Sequence, residues 1–181
     1  MVTRDANVAA DTADITGRFP IASDWLLVSQ EMIDQFGRAT LDPDPMHQDP
    51  EWARDHSPFR GTIAYGFMAG ALLSHLFKSA RTGSAEGPPI RSGFLRLNYG
   101  FDRLRLVRPI PAGSRIRGHF SVLNGSGRTR TGHAILRLSC RIEVEGQQTP
   151  ALVGEWLTVA VPSSRGPEEP EEPQENDENA S

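Results

Sequence analysis

The stretch His133-Ala134-Ile135-Leu136-Arg137-Leu138-Ser139-Cys140-Arg141-Ile142-Glu143-Val144-Glu145 decides the fold. Successive side chains of a strand point to opposite faces. Ala134, Leu136, Leu138, Cys140, Ile142 and Val144 therefore share one face, and Arg137, Ser139, Arg141 and Glu143 the other. That is a long strand with one dry and one wet side. Period-two stretches recur over residues 94 to 107, 115 to 124 and 151 to 161. Asn124-Gly125-Ser126-Gly127 and Glu145-Gly146-Gln147-Gln148 join consecutive strands as hairpin turns, so the second half of the chain is an antiparallel sheet.

Upstream the grammar is helical. Trp25-Leu26-Leu27-Val28 reads as a short strand, and Ser29 then offers an N-cap for a helix through Met32, Ile33, Phe36 and Ala39. Residues 41 to 48 form a loop. Asp49-Pro50-Glu51 is the start of a second short helix, with an acidic cap and proline in the first turn. Ser57-Pro58-Phe59-Arg60-Gly61 is a turn. From Gly66 the residues Phe67, Met68, Ala69, Ala71, Leu72, Leu73, Leu76 and Phe77 are apolar almost all round, which predicts a helix buried at the centre of the domain. A sheet with one dry face needs a cover, and this helix is the element available. The expected class is α+β, an antiparallel sheet curled around a central buried helix.

The 181 residues, 38% hydrophobic and 23% charged, suit one domain with a sizeable core. The expected organisation is a loose lead-in over residues 1–20, the domain over 21–164 and a disordered acidic tail over 165–181. The tail RGPEEPEEPQENDENAS carries seven acids against one arginine, so it contributes −6 to the formal net charge of −4, and the rest of the chain is +2. The arginines of the body are scattered through strand patterns instead of clustering, which argues against a nucleic-acid partner. No apolar run reaches membrane-spanning length, and the first residues, Met1-Val2-Thr3-Arg4-Asp5, lack a signal-peptide pattern, so a cytoplasmic protein with no membrane partner is expected. The single Cys140 falls on the dry face of its strand and reads as a buried structural thiol.

The chemistry concentrates in Asp42-Pro43-Asp44-Pro45-Met46-His47. Prolines 43 and 45 stiffen the segment that carries a carboxylate and an imidazole five residues apart. An imidazole, with an ordinary pKa of about 6.5, moves protons near neutral pH when held within reach of its target. On spacing alone a plain acidic turn, with His47 capping or packing, is the commoner outcome. Gly66 is the second element: backbone N–H groups at a helix start lack intrahelical partners and can hold a developing oxyanion. A simple turn glycine is the alternative. His56, His75, His119 and His133 have no comparable carboxylate-and-proline setting, with His119 and His133 placed in strands. No His, Cys and Asp cluster has metal-ligand spacing, so neither a metal nor another cofactor is expected.

Asp42-x-Asp44-Pro45-Met46-His47, followed by five residues and Ala53, resembles the D-x-N-P-[LIV]-H-x5-[AS] signature of the MaoC-like, R-specific enoyl-CoA hydratase family. Ile63-Ala64-Tyr65-Gly66-Phe67 resembles that family's I-[AV]-H-G element, and Asn98-Tyr99-Gly100 with Pro109-Ile110-Pro111-Ala112-Gly113 is similar to the NodN-type branch. The resemblance spans about residues 25 to 161 and implies a single hot-dog domain, in a homodimer or higher oligomer. It implies Asp42 and His47 as a catalytic dyad, the Gly66 N–H at a thioester carbonyl, and Ser74 and Tyr65 beside the substrate. The implied reaction is reversible hydration of trans-2-enoyl-CoA or enoyl-carrier-protein thioesters. A non-catalytic acyl-binding or partner subunit and a hot-dog thioesterase are the alternatives. Leu41, Asp44 and Tyr65 stand where the family has Gly, Asn and His.

Overall fold

The computed structural model describes residues 21–82, 94–123 and 127–162. Residues 1–20, 83–93, 124–126 and 163–181, which take in the expected lead-in, most of the Asn124–Gly127 turn and the expected tail, lie outside the described residues. Eight strands form one sheet: β1 (Ile21–Ala22), β2 (Leu26–Leu27), β3 (Arg81–Thr82), β4 (Phe94–Leu106), β5 (Arg115–Val122), β6 (Gly127–Arg128), β7 (Ala134–Val144) and β8 (Leu152–Pro162). The order is β3-β1-β5-β7-β8-β4, with β2 added to β5 and β6 to β7, and every pairing is antiparallel. Among the described residues four helices accompany it: α1 (Gln30–Thr40), α2 (Pro45–Gln48), α3 (Pro50–His56) and α4 (Gly66–Ser79).

On β7 the dry face is as the alternation requires from Leu138 to Val144, with Leu138, Cys140 and Ile142 fully buried. Its first residue, Ala134, is exposed. Leu73, Leu76 and Phe77 of α4 bury against this face, and Phe77 meets Phe120 and Trp156 edge-on at ring distances of 5.0 and 5.7 Å. Gly118 allows the close approach: a Cβ there would come within 2.9 Å of the Leu76 Cβ. The Cys140 thiol donates to the Gly154 carbonyl at 3.3 Å, and burial pushes its pKa up to about 12, which makes it structural.

Three expectations change. The helix α4 is not buried all round: Phe67 is 81% exposed, and Ala71 also faces outward, because the sheet covers only one of its sides. The segment 41–48 is not loop throughout, since Asp44 caps the single-turn helix α2 by accepting from the Met46 N–H at 2.8 Å. His133 lies in the turn before β7, where its N–H donates to Thr129 Oγ1.

Local chemistry explains the helix ends. Ser29 Oγ accepts from the Met32 N–H, and Asp49 Oδ1 accepts from the Glu51 and Trp52 N–H groups. At the other end of α1, Leu41 takes a left-handed conformation (φ 58°) so that its own N–H reaches the Arg38 carbonyl and that of Asp42 the Gly37 carbonyl. A side chain there costs about 1 kcal/mol, and this one is 88% exposed, so burial recovers little. Leu41→Gly is expected to stabilise the fold by about 1 kcal/mol, seen as a melting point higher by roughly 2–4 °C in a thermal scan; an unchanged or lower melting point contradicts the strain.

Candidate active site

The start of α4 and the α2 segment meet around one cavity of about 320 Å³, bordered by Met46, His47, Ile63, Tyr65, Gly66 and Leu106. His47 is buried, and its Nδ1 stands 2.7 Å from the Ile63 carbonyl oxygen. A carbonyl can only accept, so Nδ1 carries the proton and the neutral ring keeps its lone pair on Nε2. That is the tautomer a general base needs. The backbone around it is braced by Gln30 of α1, whose amide donates to the His47 carbonyl at 2.8 Å and accepts from the Thr62 hydroxyl at 2.5 Å. One side chain thereby ties α1, the His47 segment and the approach to α4.

Tyr65 is buried and stands immediately before α4. Its ring lies 3.8 Å from the His47 imidazole, tilted by 36°, and its hydroxyl donates to the Asp42 carbonyl at 2.5 Å. Burial, and then the negative charges of Asp42, Asp44 and Asp34, push the phenol pKa up, so the group stays a neutral donor. Gly66 opens the helix with no side-chain cap in front of it, which leaves its first N–H groups without intrahelical partners beside the cavity.

Gly66 also borders a second groove, of about 340 Å³, that runs along α4 past Gly70, Ala71 and Ser74 and is closed by Asn98 and Tyr99 of β4 and by Trp156. Ser74 Oγ reaches Asn98 Oδ1 at 3.5 Å. Of the five residues singled out in the sequence, His47, Tyr65 and Gly66 converge on one cavity and Ser74 lines the groove that continues from Gly66. Asp42 is exposed, and its backbone carbonyl, rather than its carboxylate, is what contacts Tyr65. Gln30, Thr62, Gly37 and the Ile63 carbonyl are not legible beforehand, because no local pattern marks them.

Another ionisable cluster lies on the wet face of the sheet. Contrary to expectation, His119 has a carboxylate partner: Nε2 is 2.5 Å from Glu143, which also pairs with Arg117 at 2.9 Å. Burial pushes the His119 imidazole below its ordinary range; partial burial is opposed at Glu143 by Arg117 and His119, which together hold that carboxyl low. Among the described residues no group of His, Cys, Asp or Glu is placed to hold a metal ion, and no helix is long and apolar enough to cross a membrane.

A curled antiparallel sheet around one central helix, with a polar cluster at the helix start, is the hot-dog architecture. Solved structures with this fold include R-hydratase PhaJ1 from Pseudomonas aeruginosa (TM-score 0.56, 21% identity, 81% of this chain and 87% of that one) and the (R)-hydratase from A. caviae (TM-score 0.56, 20% identity, 79% and 96%). The profile of the MaoC like domain matches residues 11–139, and the chain belongs to the MaoC-like dehydratase family. It is 35% identical to Nodulation protein N of Rhizobium meliloti over 83% of this chain and 89% of the relative, and 37% identical to 3-hydroxyacyl-thioester dehydratase Z of Mycobacterium tuberculosis over 81% and 91%.

The geometry gives Asp44 a defined task, since an acceptor oxygen capping α2 is within the reach of aspartate and asparagine alike. Asp44→Asn is expected to keep stability within about 0.5 kcal/mol, whereas Asp44→Ala costs about 1 kcal/mol in urea unfolding. Equal losses in both variants would assign the effect to charge instead of capping.

Proposed function

We propose that the protein adds water reversibly across the C2–C3 double bond of trans-2-enoyl thioesters, giving (R)-3-hydroxyacyl thioesters. The observation that carries this reading is the His47 tautomer: Nδ1–H is committed to the Ile63 carbonyl, so Nε2 is left to act as a base at a cavity that Gly66 also borders. In the forward direction Nε2 takes a proton from water as the oxygen bonds to C3. The π pair of C2–C3 moves to make an enolate, whose oxygen is held by the Gly66 N–H, and a proton reaches C2 as the carbonyl re-forms. Asp42 enters as the proton partner, from the exposed end of the same loop.

The substrate is an acyl-CoA or an acyl-carrier-protein thioester, both of which carry phosphate. Arg108 borders the cavity and is exposed, a position suited to that group. A second reading, a non-catalytic hot-dog module that binds acyl groups, is favoured by one observation: Asp42 is not among the cavity-lining residues. Crotonyl-CoA hydration followed at the enoyl absorbance separates the two. Turnover is expected in the native chain, with a loss of at least about 100-fold in His47→Ala and in Asp42→Asn at unchanged melting point. Loss in His47→Ala alone removes Asp42 from the dyad, binding without turnover selects the module, and release of free CoA selects a thioesterase.

Homodimerisation belongs to the same proposal. The outermost strand β4 exposes Leu95, Leu97, Tyr99 and Phe101, and Phe67 of α4 is exposed as well. An edge unpaired among the described residues and carrying so many large apolar groups is a surface for covering, and a second copy presents the same surface in return. Sedimentation velocity is expected to give a dimer that Leu97→Glu with Tyr99→Glu converts to monomer; a monomeric native chain contradicts it.

A further inference from the structure

Asp42 is gripped at both of its backbone polar groups. Its N–H donates to the Gly37 carbonyl at 3.0 Å, and its own carbonyl accepts from the Tyr65 hydroxyl. The same Tyr65 ring covers one face of the His47 imidazole. The imidazole is thus restrained twice: the Nδ1–H bond to Ile63 sets its rotation within the ring plane, and the tyrosine closes one side. Gly37 makes this arrangement fit. A Cβ at that position would lie 2.4 Å from the Tyr65 hydroxyl oxygen and 2.0 Å from Gln48 Nε2, far inside contact distance.

We infer that Tyr65 is a positioning residue, not a substrate-binding one, and that with Gly37 it clamps the Asp42–His47 segment onto the start of α4 so that Nε2 stands at a set place relative to the Gly66 N–H. This rests on the hydratase reading of His47. Tyr65 is otherwise unexplained as a tyrosine: its hydroxyl points at a backbone carbonyl twenty-three residues away, a bond with no role in holding an acyl group. Its neutral, donating form is protected by burial and by the surrounding acids. The device is electrostatically simple and mechanically demanding, since small errors in the placement of a catalytic group cost large factors in rate.

The test compares Tyr65→Phe, which keeps the ring and removes the donor, with Gly37→Ala and with the double variant, all in the full chain and all checked by thermal unfolding. With crotonyl-CoA, Tyr65→Phe is expected to lower kcat about tenfold with KM within about twofold. Gly37→Ala is expected to do the same, because the new methyl pushes the phenol away. In the double variant, compared in a Gln48→Ala background because the methyl would also strike Gln48 Nε2, the methyl meets no hydroxyl, so the combined loss stays within about threefold of Tyr65→Phe alone in that background, well short of the product of the two. Native-state hydrogen exchange supplies a readout independent of turnover: the amides of Asp42, His47 and Gln48 exchange about tenfold faster in Tyr65→Phe while those of β7 are unchanged. Native kcat in Tyr65→Phe, a raised KM at constant kcat, multiplicative losses, or exchange raised uniformly through the sheet would each overturn the clamp. If the native chain turns over no enoyl thioester, the hydratase reading fails on its own, and exchange alone decides: a loosened 42–48 segment upholds the clamp and unchanged protection overturns it.

Discussion

The structure depends on one requirement: the dry face of a curled sheet has to be covered, and α4 is the element that covers it. Leu73, Leu76 and Phe77 share one hydrophobic cluster with Phe120, Leu138, Cys140 and Trp156, a set of fully or nearly fully buried side chains. At about 25 cal/mol per Å² of apolar surface, burial on this scale is the dominant favourable contribution to folding. Its geometric consequence matters as much as its energy. Once Gly118 lets α4 down onto β5, the helix start is fixed in space, and so is the line of backbone N–H groups that it presents.

Everything at the candidate site is arranged against that fixed end. The chain before α4 supplies Ile63, whose carbonyl sets the His47 tautomer, and Tyr65, whose ring and hydroxyl hold the segment that carries Asp42 and His47. On the far side, α1 contributes Gln30 and Gly37, one as a brace and one as room. The imidazole is therefore oriented by the sheet through two intermediaries. Polar atoms of a buried site in such an arrangement are satisfied by one another, which restrains their relative positions.

The departures from the family pattern acquire physical meaning in this frame. Asp44 caps α2 as an asparagine would, so its charge is incidental to its structural task. Leu41 occupies a left-handed position that glycine fills without strain, and the fold tolerates the cost because the hydrogen bonds that end α1 require that conformation. Tyr65 differs in kind: it adds a long side chain with a terminal donor, and the structure uses both parts.

The long strands of the sheet, the helices other than α2 and the identity of the central loop were legible in the residues, because strand alternation, helix caps and turn glycines are written within a few positions of one another. Ser29 capping Met32 and Asp49 capping Trp52 are three-residue relationships, and β7 displays its faces in its own eleven residues. The contacts that make a site from the loop were not legible. His47 to Ile63 spans 16 positions, Tyr65 to Asp42 spans 23 and Thr62 to Gln30 spans 32, and no periodicity reaches so far. The open flank of α4 was misjudged for the same reason, since composition tells how apolar a helix is and not how much of it a sheet can cover. By itself, then, the sequence determined which face of each long strand is dry, where the helices other than α2 begin and which residues can do chemistry. Only the tertiary structure decided that Nδ1 of His47 meets the Ile63 carbonyl and that Tyr65 and Gly37 pack against the segment that carries it, because both follow from packing between elements distant in the chain.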